Sequence, residues 1–96
     1  MDISGFQERM RKNYFHRDSK RGPYGTFMWL LEEVSELGKA MASGDQQNLK
    51  DEFADVLAWL CSLANVLNVD LEEAALAKYD GKCPRCRREV CQCQEA

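Results

Sequence analysis

Apolar residues recur along this chain at helical spacing. Phe6, Met10 and Tyr14 mark a first amphipathic stretch, predicted as a helix from about Ile3 to about Asp18. The segment SKRGPYGT interrupts it, because two glycines and a proline do not continue a helix. Thr26 then suits an N-cap. Leu30, Val34, Leu37 and Met41 line one face of a second helix running to about Ser43, where Gly44 reads as a stop. After a short polar connection, capped by Asp45 or Asn48, a third seam follows through Phe53, Val56, Leu57, Leu60, Ala64 and Leu67. Asp70 with Glu73 resembles a capping box opening a fourth, short helix to about Tyr79, which Asp80-Gly81 ends. β-branched residues are few and nothing alternates over five or more positions, so no strand is expected.

The pattern predicts an all-α fold: a bundle of about four helices whose two central members are antiparallel, since only a few residues join them. Residues 1–80 form the expected domain, and 81–96 a short cysteine-rich tail. With 96 residues the core is thin. Met28, Trp29 and Leu63 stay apolar outside the seams, so a homo-oligomer, a dimer or tetramer, is expected to complete the bundle. No apolar run reaches the ~18–20 residues of a membrane span. The N-terminus lacks a basic region followed by an apolar stretch. A cytoplasmic protein with no membrane partner is the expectation.

Charge changes the picture. Six basic and three acidic residues fall within positions 1–25, two basic and ten acidic within 26–77, and five basic and three acidic within 78–96. An acidic centre between basic ends argues against nucleic-acid backbone binding. It suits a site that collects cations in the middle with positive charge close by.

The acids are also patterned. Glu33 and Glu36 share a helix face with Trp29 and Ala40, and Glu52 and Asp55 share another with Trp59 one turn on. Both pairs flank an apolar seam. If the two central helices pack through those seams, four carboxylates converge, and they do not all stay ionised without compensation. Mg²⁺ meets that need, being hard, oxygen-seeking and able to bridge to phosphates. A plain solvated glutamate face is the competing reading. It is weakened by the scarcity of local cations, since Lys39 and Lys50 are the only basic residues between positions 26 and 77. His16, the sole histidine, has no Glu three residues before it, which disfavours the Glu-x-x-His sites of di-iron bundles.

Glu32-Glu33-x-x-Glu36 followed by Glu52-x-x-Asp55 resembles the signature of the MazG-like all-α nucleoside triphosphate pyrophosphohydrolases. The likeness extends through FADVLAWLCSLANVLNVDLEEAALAKY and covers roughly residues 6–80, with Ala54 where relatives commonly carry glycine. The resemblance implies Mg²⁺-dependent hydrolysis of a nucleoside triphosphate, ribo or deoxyribo, to the monophosphate and pyrophosphate, as nucleotide-pool housekeeping. It makes Glu33, Glu36, Glu52 and Asp55 the Mg²⁺ ligands, with Glu32 supporting them or orienting the attacking water. Lys78 is then a phosphate contact, or simply a lysine favoured at a helix C-terminus. Trp59 and Trp29 are candidates to stack on the base, or fill a dimer core. Asn65 bonds substrate or caps a neighbouring chain.

The tail reads Cys83-x2-Cys86-x4-Cys91-x-Cys93, four thiols suited to a closed structural Zn²⁺ site. A reduced free tail and disulfides formed after purification are the other readings. Cys61 sits apart in an apolar stretch, as a buried thiol. A non-enzymatic helical module that uses the zinc tail and Arg85, Arg87 and Arg88 to bind protein or nucleic acid is the alternative to the hydrolase. A nucleotide sensor that keeps the fold without turnover is a third.

Overall fold

Asp2, Asp45 and Asp70 each place a carboxylate where a helix begins, and each accepts a backbone N–H from the first turn it caps. They open the three helices of the computed structural model: α1 (Ile3–Ser43), α2 (Gln46–Val66) and α3 (Leu71–Lys78). The structure describes residues 1–95 and shows no strand among them; Ala96, the end of the expected tail, lies outside the described residues.

The four expected helical segments are all present, but the first two are joined differently from the expectation. SKRGPYGT is not a loop. Only Gly22 leaves helical geometry, at φ 80 and ψ 174. The reason is local: the residue before proline is barred from the helical region, and glycine alone reaches positive φ freely. Pro23 then starts the second half of α1 as a first-turn residue, where its missing N–H is no loss. Thr26 is therefore not an N-cap. It is fully buried inside the helix, and its hydroxyl donates to the Gly22 carbonyl at 2.8 Å. Arg21 donates to the Asp18 carboxylate at 2.8 Å and approaches the Thr26 hydroxyl at 3.4 Å, which braces the bend from inside.

Gly44, at φ 75, ends α1 and Asp45 caps α2, so the turn between them is as short as the sequence implied. The helices run antiparallel: Gln7 meets Asn65 near one end, Trp29 meets Trp59 midway, and Glu33 meets Glu52 on the turn side of the tryptophans. The buried apolar core is small, comprising Met10, Ala40, Cys61 and Ala64. Half-buried Leu30, Leu37, Val56 and Leu63 extend it. Much of the predicted seam stays open. Met41 is 70% exposed and Phe53 59%, with Val34, Leu57 and Leu60 also exposed in the single chain.

At the far end, polar groups do the tying. Gln7 donates to Asn65 Oδ1 at 3.0 Å and to the Val69 carbonyl at 2.8 Å, and accepts the Leu71 N–H at 3.0 Å. One buried glutamine thus holds α1, α2 and the start of α3 together. The tail folds back on itself: Arg87 N–H donates to the Cys83 carbonyl and Cys83 N–H to the Arg88 carbonyl, with Arg87 at φ 62.

Candidate active site

The antiparallel pairing brings α1 and α2 carboxylates together about two to three helical turns from the hairpin turn. Single oxygens of Glu33, Glu52 and Asp55 lie within 4.8 Å of one another. Glu33 and Glu52 are half-buried and Asp55 is exposed. Burial pushes the Glu33 carboxyl above its usual range, and a close contact with Glu52 and the charges of Asp55 and Glu36 push it further. Glu52 Oε2 is buried and has no hydrogen-bond partner among the described residues. Three convergent hard oxygen donors, together with an unpartnered carboxylate oxygen on Glu52, fit a divalent cation such as Mg²⁺.

Glu36 stands one turn beyond Glu33 but outside this cluster, with its carboxylate 3.1 Å from the Lys39 ammonium. Glu32 is exposed and lines a separate shallow depression with Gly25, Met28 and Trp29.

A cleft of about 280 Å³ leads away from Asp55 between the two helices, lined by Tyr14, Arg17, Asp18, Arg21 and Trp59 among others. The Trp59 ring stacks on Trp29 with centroids 5.6 Å apart and planes 12° from parallel. The Arg21 guanidinium lies over the same ring at 4.9 Å. Sequence reasoning placed Trp59 near the acids but missed Arg17, Asp18 and Arg21. Its one available signal was the basic N-terminal segment, and only the antiparallel return of α2 shows which of those charges face the cleft.

Asn65 sits elsewhere. It is 3% exposed, its carbonyl oxygen accepts from Gln7 and from Arg11 at 3.2 Å, and its amide donates to the Gln7 carbonyl at 3.2 Å. Those bonds make it a tie between helices. Lys78 ends α3, which begins beyond the end of α2, roughly 16 Å along the helix axis from Asp55. Its ammonium lies over the Tyr79 ring at 5.7 Å.

In the tail, all four sulfurs of Cys83, Cys86, Cys91 and Cys93 lie within 4.8 Å of one another. Cys83 and Cys93 sulfurs are 3.7 Å apart, too far for a disulfide's ~2.05 Å. Backbone N–H groups of Cys86 and Arg85 aimed at its sulfur bring the Cys83 thiol down to about 6. The neighbouring sulfurs, Cys91 foremost, push Cys93 up to about 12. Backbone N–H groups thus favour the thiolates of Cys83 and Cys86, while the crowded sulfurs oppose that of Cys93.

The result is an all-helical hairpin with convergent acids between its two long helices and an arginine–tryptophan cleft beside them. Residues 21–87 match the family model described as the MazG nucleotide pyrophosphohydrolase domain, and the chain belongs to that family. The matched span contains every signature acid and reaches the first cysteine pair. No curated protein matches the chain in sequence. Among the described residues no single helix is long and apolar enough to cross a membrane.

Proposed function

We propose that this protein is a Mg²⁺-dependent pyrophosphohydrolase that converts nucleoside triphosphates, ribo or deoxyribo, to monophosphates and pyrophosphate in nucleotide-pool housekeeping. The observation that carries the reading is the meeting of Glu33, Glu52 and Asp55 oxygens within 4.8 Å, inside the span that defines the family.

Glu33, Glu52 and Asp55 would hold the cation, and Glu36 would join them by releasing Lys39. Mg²⁺ when bound neutralises phosphate oxygens and lowers the pKa of a water it holds. The protein's own groups do the rest. Glu32, exposed beside Trp29, would orient the attacking water. Arg17 at the cleft would meet phosphate charge, whereas α3 holds Lys78 beyond the end of α2, which leaves it the role of a helix C-terminal lysine. Trp59 forms the wall against which the nucleoside lies, already held flat by Trp29. Asn65 serves the reaction indirectly, by fixing the register of α2 against α1.

Residues 1–80 constitute the catalytic domain in this reading, and 81–96 a zinc-bound tail. A tetrahedron with Zn–S bonds of ~2.3 Å has sulfur–sulfur edges of ~3.8 Å, close to the 3.7 Å between Cys83 and Cys93. Four thiolates close the shell, so the zinc is structural. A second copy of the chain covers the open apolar face of Val34, Met41, Phe53, Leu57 and Leu60, completing the bundle as a dimer or tetramer. Five cysteines outside any disulfide among the described residues suit the reducing cytoplasm.

The test is pyrophosphate release from a panel of triphosphates with Mg²⁺. At least one should be hydrolysed, and Glu52→Gln and Asp55→Asn should each lower turnover about a hundredfold or more. Absence of hydrolysis across the panel, or unchanged turnover in both variants, overturns the reading.

A further inference from the structure

The Asp18 side chain has one oxygen more than its structural role requires. The residue is 2% exposed in the first half of α1 and lines the same cleft as Asp55 and Trp59. Its Oδ1 accepts from Arg21 at 2.8 Å, and through Arg21 it braces the bend at Gly22. That bond fixes the carboxylate plane. Its Oδ2 is buried with no hydrogen-bond partner among the described residues. A buried acceptor without a donor is unfavourable, and native structures rarely keep one without a use. Tyr14, Arg17 and Ser62 share the cleft, yet none donates to it.

The donor it lacks can come from the ligand. The cleft runs beside α2 from Asp55 to Ser62, about 10 Å of helix. A nucleotide with its phosphates at the acids would extend its base along that path. At about 280 Å³ the cleft is at the small end of ligand sites, suited to a nucleoside.

We propose that Asp18 reads the base, selecting nucleotides whose base presents an exocyclic amino group to its free oxygen. A carboxylate accepts hydrogen bonds and donates none. The amino groups of cytosine and adenine donate to it. Uracil and hypoxanthine place a carbonyl at the same position, where acceptor would face acceptor in a buried site. Sites built around a buried hydrogen bond discriminate strongly against an analogue that does not complete it.

This inference rests on the nucleotide reading above, and binding separates it from turnover. The probes are CMP against UMP and AMP against IMP, followed by quenching of Trp59 and Trp29 fluorescence, alongside hydrolysis of the matching triphosphates. The amino-bearing member of each pair should bind about tenfold tighter or better. Asp18→Asn keeps an oxygen for Arg21 while offering an amide donor to the base, and should bring both ratios to one or invert them. Ratios near one in the wild type overturn the proposal whether or not the variant folds, and so do ratios unchanged in a folded Asp18→Asn. Amino-selective binding without hydrolysis of any triphosphate leaves the base reading standing and removes the enzymatic one. Hydrolysis with no amino preference removes the base reading alone, and neither binding nor hydrolysis removes both.

Discussion

Glu52→Gln should make the metal-free protein more stable and the metal-loaded protein less so. Two unit charges 4.8 Å apart, the outer limit within the triad, repel by about 0.9 kcal/mol in water and about 3.5 kcal/mol at an effective dielectric near 20. Glu52 faces two of them, which bounds its repulsion at roughly 2–7 kcal/mol. Asp55 is exposed and the two glutamates only half-buried, so solvent screening places the value near the lower bound, roughly 2–3 kcal/mol. Protonation of Glu33 caps it as well, since adding a proton to an ordinary glutamate at pH 7.5 costs about 4 kcal/mol. A glutamine keeps the shape, removes the charge and offers an N–H to Glu33.

In EDTA the variant should therefore gain about 2 kcal/mol, or roughly 8–16 °C in melting temperature for a domain of this size. With Mg²⁺ at about a hundred times its Kd, the wild type should rise by about 2.7 kcal/mol and the variant by much less. Scanning calorimetry at fixed protein concentration measures both. The sign of the pH dependence follows from Glu33, whose carboxyl titrates higher in the folded protein than in the unfolded chain. Its stabilising contribution is present below the unfolded value and is lost as pH rises through the raised folded value. The gain from Glu52→Gln should accordingly grow as pH rises through that range and fade in acid, while Mg²⁺ affinity falls in acid. A variant that melts lower than wild type in EDTA, or that gains as much from Mg²⁺, would refute the reasoning.

Asn65→Ala removes three hydrogen bonds to Gln7 and Arg11 and should cost about 2–4 kcal/mol in denaturant unfolding. Its KM for nucleotide should change little, and a large KM rise without lost stability would return Asn65 to the substrate. Cys83→Ser should abolish zinc retention, read as about one metal per chain in the wild type by elemental analysis. The helical far-UV signal should persist, because α1–α3 make their caps and core without the tail. A wild-type protein purified without zinc, and indifferent to added zinc, would count against the site.

The helices were legible because their information is local. Aspartate caps, apolar spacing and Gly44 each act within one turn of chain, and the structure keeps Asp45, Gly44 and Asp70 in those roles. The acids were legible as two pairs, since i,i+3 spacing fixes a shared face whatever the helix packs against. Where local signals compete, reading stops short. Gly22-Pro23 could end a helix or bend it, and the choice fell to Asp18, Arg21 and Thr26, whose mutual bonds make the bend stable. Which acids meet was likewise decided by packing. Glu33 and Glu36 are equivalent in sequence, yet only Glu33 joins Glu52 and Asp55, while Glu36 pairs with Lys39. The cleft lies beyond sequence altogether, since it sets Arg17, Asp18 and Arg21 against residues about forty positions away. Helical periodicity determines which residues share a face; only the antiparallel return of α2 decides which faces confront each other, because that depends on how side chains of both helices fill the space between them.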